Sequence, residues 1–326
     1  MVLAAGRDSR AGTARFGSGP VTIITGYGDS GVMAVSTVTQ AVDCISDGDE
    51  VYLGGFGFAQ PFAVSHELVR QGVSDLHVVR ASGDILLDQL VGAGCVSEAT
   101  IAHCWNAVGP APTSAYRRAA EDGIPQPLST EEYGLGNLVL RLFAGARRLP
   151  FVPAGPVEST GQFEHRQSEE KFREVTVGGD SYYAMEPLNP DVSVIHAPRA
   201  DERGNVQLTG AQAETKHGAM AADHLLVTVE EVVPAAETQS APDHTVVPGF
   251  MIDDVVEVPG GAHPAGVHGH YARDIDYLQH YGNETASLAS FEEFLEEYVG
   301  GVDDREEYLE VVRANGFGPN PVEGSS

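Results

Sequence analysis

Apolar and polar positions alternate in short blocks along most of the chain, and the blocks predict alternating strands and helices. Val38, Ala41, Val42 and Ile45 fall on one face of a helix over 37–44. The turn Asp47-Gly48-Asp49 leads into a buried strand, Val51-Tyr52-Leu53, which runs into Gly54-Gly55-Phe56-Gly57. A helix is expected over 62–71 and a strand over 76–79. A polar turn, Ser82-Gly83-Asp84, precedes a helix over 86–91, and 100–102 reads as another strand. Leu138, Leu142 and Ala146 share one face of a helix over 135–148 that Pro150 and Pro153 stop. Later apolar runs at 192–196, 225–230 and 253–258 read as further strands, and 291–312 as acidic helix. Short apolar strands alternating with helices specify an α/β fold, with an open, mostly parallel sheet covered by helices on both faces.

The ends of the chain break this pattern. Residues 1–32 are rich in Gly, Ser and Ala, with a short strand expected at 21–25. The expectation is a flexible extension or a misplaced start, with Met33 as the functional beginning. The regular domain then spans 33–300, with the polar, Gly-rich stretch 154–182 as a surface excursion and 301–326 as an acidic tail.

Composition narrows the partners. Asp and Glu number 47 against 19 Lys and Arg, a formal charge of −28, and only Lys171 and Lys216 are lysines. No basic stripe tracks a phosphate backbone, so nucleic acid is excluded as a partner, and an anionic membrane surface would repel the chain. The acid is spread among apolar segments and 38 glycines, which points to a solvated, self-repelling surface suited to a high-salt cytoplasm. Cys44, Cys95 and Cys104 form no C-x-x-C motif, as expected of a reducing compartment. No apolar run reaches the ~20 residues that span a bilayer, and no signal-peptide pattern opens the chain.

The candidate chemistry sits in loops after strands. Paired glycines at Gly54-Gly55 expose backbone N–H groups with no Cβ to block approach, a means of holding an oxyanion or a carboxylate. The run is neither a dinucleotide fingerprint nor a P-loop, because G-x-G-x-x-G and Gly-Lys-Ser/Thr are both absent. His268-x-His270 near His263 offers metal-ligand spacing, but no acidic or Cys residue completes a set, and solvated or hydrogen-bonded loop histidines are the expectation. His103-Cys104 lie next to each other on a strand and so face opposite ways, which argues against a thiol–imidazole pair. Trp105 is expected in the core.

The run Asp47–Pro61 resembles the N-terminal signature of family I coenzyme A-transferases: an acidic-Gly pair, three apolar residues, then Gly-Gly-Phe. The family's later Gly-x-Pro is shortened here to Gln60-Pro61. Asp88-Gln89-Leu90-Val91-Gly92-Ala93-Gly94-Cys95-Val96-Ser97 is similar to the matching stretch of glutaconate CoA-transferase α subunits, with Ser82-Gly83 in place of a polar, Ser-containing loop. Further collinear matches include Leu149–Pro153, Ala200–Asn205 and Val256–Pro264, so the resemblance covers roughly 33–300.

The resemblance implies a fold related to sugar-phosphate isomerases and the α subunit of a two-subunit transferase. Such an enzyme moves coenzyme A from an acyl-CoA thioester to a free carboxylic acid through a glutamate nucleophile. That glutamate belongs to the β-type subunit, so this chain supplies no catalytic residue of its own. It contributes a wall of the acyl pocket, with Gly54, Gly55, Phe56, Ser82 and Asn106 as the substrate-binding candidates. The expected assembly is a hetero-oligomer with the β-type subunit, with the CoA thioester as substrate and no resident cofactor or metal. Arg80 is the preferred cation for a dicarboxylate, ahead of Arg70 and Arg141. Two alternatives are a ring-cleaving acyl-CoA hydrolase subunit and a non-catalytic acyl-CoA-binding protein. The first would need a glutamate where Leu135 stands, with Glu131 and Glu132 slightly upstream.

Overall fold

The structure is a computed structural model. It describes residues 37–106, 108, 113–155, 161, 163, 171–210 and 212–322, and the backbone of 23–25. The short strand expected at 21–25 is present at Ile23–Thr25, while the other expectations for 1–32, and residues 156–160, 162 and 164–170 of the expected excursion, lie outside the described residues.

Thirteen strands are described. They are β1 (Ile23–Thr25), β2 (Glu50–Leu53), β3 (Leu76–Gly83), β4 (Val96–Cys104), β5 (Ser129–Glu132), β6 (Val152–Pro153) and β7 (Phe172–Val177). After these come β8 (Asp180–Met185), β9 (Val192–Asp201), β10 (Val206–Gln207), β11 (His224–Val233), β12 (Thr245–Val247) and β13 (Asp254–Glu257). The main sheet runs β1-β13-β11-β9-β2-β3-β4-β5, with β10 and β12 branching from β9. From β13 to β5 every neighbouring pair is parallel, and β1 closes the edge antiparallel to β13.

Side-chain alternation assigns each strand to two cores. Val51, Leu53, Val78, Val194 and Leu226 face one cluster, while Tyr52, Val79, Ala81, Ile195 and Val227 face the other. The first cluster is covered by helices Phe62–Gln71, Ile85–Gly92, Ile275–Glu284, Leu288–Leu295 and Arg305–Ala314. The second is covered by helix Leu135–Ala146 and the three-stranded sheet β6-β8-β7. The α/β fold with helices on both faces is thus as the pattern specified.

Several boundaries differ. The expected turn at Ser82-Gly83-Asp84 is instead the end of β3 followed by a helix cap: Asp84 Oδ1 accepts from Leu86 N at 3.0 Å. Strand β4 starts four residues before the predicted 100–102 and ends two after it, and β9 and β11 also outlast their apolar cores. The acidic helix expected over 291–312 is interrupted at 301–304, and its last part, Arg305–Ala314, packs on the core with Tyr308 and Val312 completely buried. Gly92 sits against the Phe291 ring so closely that a Cβ there would lie 2.2 Å from it, which explains a glycine in that helix.

Candidate functional site

The candidate site forms where β2, β3 and β4 end side by side. Ligands gather at the carboxyl ends of strands in open parallel sheets. Register pairs Ser82 of β3 with His103 of β4. Ser82 Oγ and His103 Nε2 share a hydrogen bond of 3.0 Å. Phe56, from the turn after β2, meets the His103 ring edge-on at 6.1 Å, and Trp105 meets it from beyond β4 at 5.5 Å. Phe56 is 41% exposed and Trp105 62%. A hydroxyl–imidazole pair between two open aromatic rings offers polar donors within an apolar wall, the composition of a small-molecule site. Trp105 therefore corrects the expectation of a core tryptophan: it follows the last paired residue of β4, where the chain leaves the sheet.

The paired glycines turn the chain rather than present its amides. Gly54 N donates to Val194 O at 2.9 Å, and Gly55 N to Thr215 Oγ1 at 3.3 Å. Gly55 has φ +88°, and a Cβ on it would lie 2.5 Å from Ala59 O, so the turn requires glycine there. Among the described residues no acceptor is bonded to the N–H groups of Phe56 and Gly57, the next two in the turn.

Arg80 holds this turn from below. It is fully buried, and its guanidinium donates to Leu53 O (3.0 Å), Gly54 O (2.9 Å), Gly55 O (3.3 Å) and Ser82 O (2.7 Å). It also pairs with Asp84 Oδ2 at 3.2 Å, and Gln60 Nε2 donates to the same oxygen. Arg80 is therefore a structural clamp, not the substrate cation that its sequence position had favoured. Arg70 pairs with Glu67 at 2.7 Å. Arg141 lies over the Tyr133 ring and 3.7 Å from Glu131. Neither is open to ligand.

Other candidates resolve individually. Asn106 is buried, donating to Leu278 O at 3.4 Å and accepting from Val108 N at 3.1 Å, so its side chain serves packing. His103 and Cys104 do face different partners: Cys104 Sγ lies 3.3 Å from Thr113 Oγ1, and burial pushes its thiol well above the usual range, which leaves it inert. His263 is fully buried between Tyr308 (2.8 Å) and Asp274 (3.0 Å). Burial lowers its pKa to about 4 against the raising effect of Asp274. His268 stacks on Phe58 at 4.3 Å. Among the described residues no cluster of His, Cys, Asp and Glu could hold a metal ion. No described helix is long and apolar enough to cross a membrane.

Sequence reasoning named Ser82 but missed the pairing of its hydroxyl with His103 and the neighbouring Trp105. It also missed a buried relay on β9 and β11. Glu230 accepts from Tyr271 OH and Gly260 N and shares a 2.8 Å hydrogen bond with His196. Burial acts to raise the Glu230 pKa, but these partners outweigh it and hold the carboxyl below its usual value.

A mostly parallel sheet with helices on both faces and a polar–aromatic cluster at its strand ends defines an α/β protein with a candidate ligand site. Comparison with known proteins gives the family: the coenzyme A transferase model matches residues 35–258, and the chain belongs to that family. It is 36% identical over 274 residues to one of the subunits of the 3-oxoadipate CoA-transferase of Pseudomonas knackmussii, covering 83% of this chain and 95% of that one. Its fold matches the crystal structure of glutaconate coenzyme A-transferase from Acidaminococcus fermentans with a TM-score of 0.79 and 27% identity, covering 89% of this chain and 99% of the other. It is also 28% identical to the IpdA subunit of a cholesterol ring-cleaving hydrolase of Rhodococcus jostii, over 82% of this chain and 92% of that one.

Proposed function

We propose that this chain is the α subunit of a two-subunit coenzyme A-transferase that moves coenzyme A from an acyl-CoA thioester to a free carboxylic acid. The nucleophilic glutamate comes from a β-type partner. Its carboxylate attacks the thioester carbonyl and expels the CoA thiolate, leaving an acyl–glutamyl anhydride. The thiolate then attacks the glutamyl carbonyl, releasing the first acid and leaving CoA on the glutamate as a thioester. The second acid runs the same steps in reverse.

The carrying observation is the Ser82–His103 pair between Phe56 and Trp105, in a chain of the coenzyme A transferase family. The pair gives hydrogen bonds to an acyl or acceptor oxygen, and the aromatic rings shield the thioester from water. The nearby carboxylate of Asp84 is held by Arg80, Gln60 and Leu86 N, so it supports the fold rather than the chemistry. In this reading Gly54 and Gly55 shape the turn that carries Phe56.

The similarity to a ring-cleaving hydrolase subunit favours a second reading only weakly. At the start of helix Leu135–Ala146 stands the half-exposed Leu135, not a carboxylate. Upstream, Glu131 is already committed to Lys171 at 2.7 Å and to Arg141. A CoA-exchange assay with the chain alone and co-expressed with a β-type subunit tests the proposal. Exchange in the mixture only is expected. Water-dependent acyl-CoA consumption with no acceptor acid would favour the hydrolase.

A further inference from the structure

We propose that Arg273 is the residue that binds an anionic oxygen group of the substrate at this site. Its side chain has no hydrogen bond or ion pair among the described residues, in a chain carrying 47 acidic residues. It is half-buried, and its Nη1 lies 3.9 Å from where a Cβ on Gly57 would stand, beside the turn that carries Phe56. It shares a small void with Gly57, Gln60, Asp84 and Leu278. The Asp84 carboxylate in that void is already committed to Arg80, Gln60 and Leu86 N, so it does not neutralise Arg273.

The position is fixed without using the guanidinium. The neighbouring Asp274 accepts from Tyr277 N (3.0 Å) and Gly318 N (2.7 Å) and shares a hydrogen bond with His263 (3.0 Å), while its own N donates to Pro264 O. Gly266 lets this segment close on the turn: a Cβ there would lie 2.8 Å from Arg273 N and from the Phe58 ring. The backbone at 273 is thus clamped, while the charged end, an Arg fork suited to carboxylate or phosphate, has no partner among the described residues. The unbonded N–H groups of Phe56 and Gly57 lie in the same turn. A cation with no partner among the described residues, beside unbonded amide donors at strand ends that otherwise carry a Ser–His pair and an aromatic wall, makes an anion site.

The shared chemistry is an anionic oxygen ligand. Two sources supply it: a carboxylate on the acyl group or acceptor acid, and a phosphate of coenzyme A. The proposed function enters only in naming these sources. The test is titration calorimetry on the complex of this chain with its β-type subunit. The probes are a dicarboxylic acid, a monocarboxylic acid of equal length, coenzyme A and coenzyme A lacking its 3′-phosphate, against wild type, Arg273→Ala and Arg273→Lys.

Arg273→Ala is expected to weaken one anion class about 10- to 100-fold, the worth of a charge-assisted hydrogen bond, with Arg273→Lys between. Because the side chain bonds nothing among the described residues, thermal unfolding should stay as in wild type. Loss confined to the dicarboxylic acid assigns the carboxylate; loss for coenzyme A that vanishes without its 3′-phosphate assigns the phosphate. Equal binding of every probe by wild type and Arg273→Ala, or binding of none, overturns the inference. CoA exchange is assayed in parallel. Arg273-dependent binding without exchange in wild type would sink the transferase reading alone. Exchange with unchanged binding would sink this inference alone.

Discussion

Ser82 Oγ and His103 Nε2 lie 3.0 Å apart across the β3–β4 pair, at the register position where both strands near their carboxyl ends. The hydrogen bond restrains both side chains, and in the proposed function it places the hydroxyl before the acyl group binds. Ser82→Ala and His103→Ala are each expected to raise the KM for the acceptor acid about 10-fold or more with kcat little changed, the signature of lost uniform binding. His103→Gln, which restores a donor, should recover part of it. Steady-state kinetics decide: equal kinetics for all three variants and wild type would remove the pair from the site.

Arg80 is expected to matter to stability more than to binding. Removing it leaves Asp84 buried with its charge uncompensated and frees the three carbonyls of the β2 turn. Arg80→Ala should destabilise the fold by about 3–5 kcal/mol, read as a lower denaturation midpoint in urea. A midpoint within error of wild type would contradict the clamp.

Asp88 sets a pH dependence. It is fully buried, and burial raises its pKa to about 6, although Tyr281 OH and Tyr116 N both donate to it at 2.6 Å. A carboxyl raised on folding binds more protons in the native state than in the unfolded one. Its contribution is therefore most favourable in acid and declines as pH rises from about 4 to about 6. Asp88→Asn, which keeps an acceptor but cannot ionise, should be more stable than wild type at pH 7 by up to about 3 kcal/mol and show a flatter profile across that window. Parallel stability–pH curves for the two proteins would refute this.

Much of this was legible in the sequence, and the parts that were not share a cause. The strands and helices around the two cores follow from apolar spacing, because both faces of a parallel sheet are buried and each strand reads as an apolar run. Ser82 was visible as a polar residue after such a run. His103 was not, because its value lies in the register of β4 against β3, which one sequence does not display. Arg80 was misread for the same reason: β3 continues to Gly83, which places Arg80 inside the sheet and not at its edge. Trp105 looked like core because large aromatics usually are. Arg273 sits in an irregular loop, and only the closure of that loop on Gly57 brings it to the site.

The surface charge carries its own expectation. At −28, self-repulsion should weaken the fold in dilute buffer, and about 1 M salt shortens the screening length to roughly 3 Å. The thermal midpoint should rise steadily from about 0.1 to about 2 M KCl. A flat or falling midpoint would show that the acidic surface is not an adaptation to salt.

In the proposed function this chain shapes the pocket while its partner carries the nucleophile. Intact-mass spectrometry of the two-subunit complex, mixed with an acyl-CoA and quenched in acid, tests this division of labour. The predicted result is a mass gain of one coenzyme A less one water on the β-type subunit, abolished by changing its glutamate to alanine, with this chain unmodified. A stable adduct on this chain, or turnover that survives the glutamate change, would contradict it.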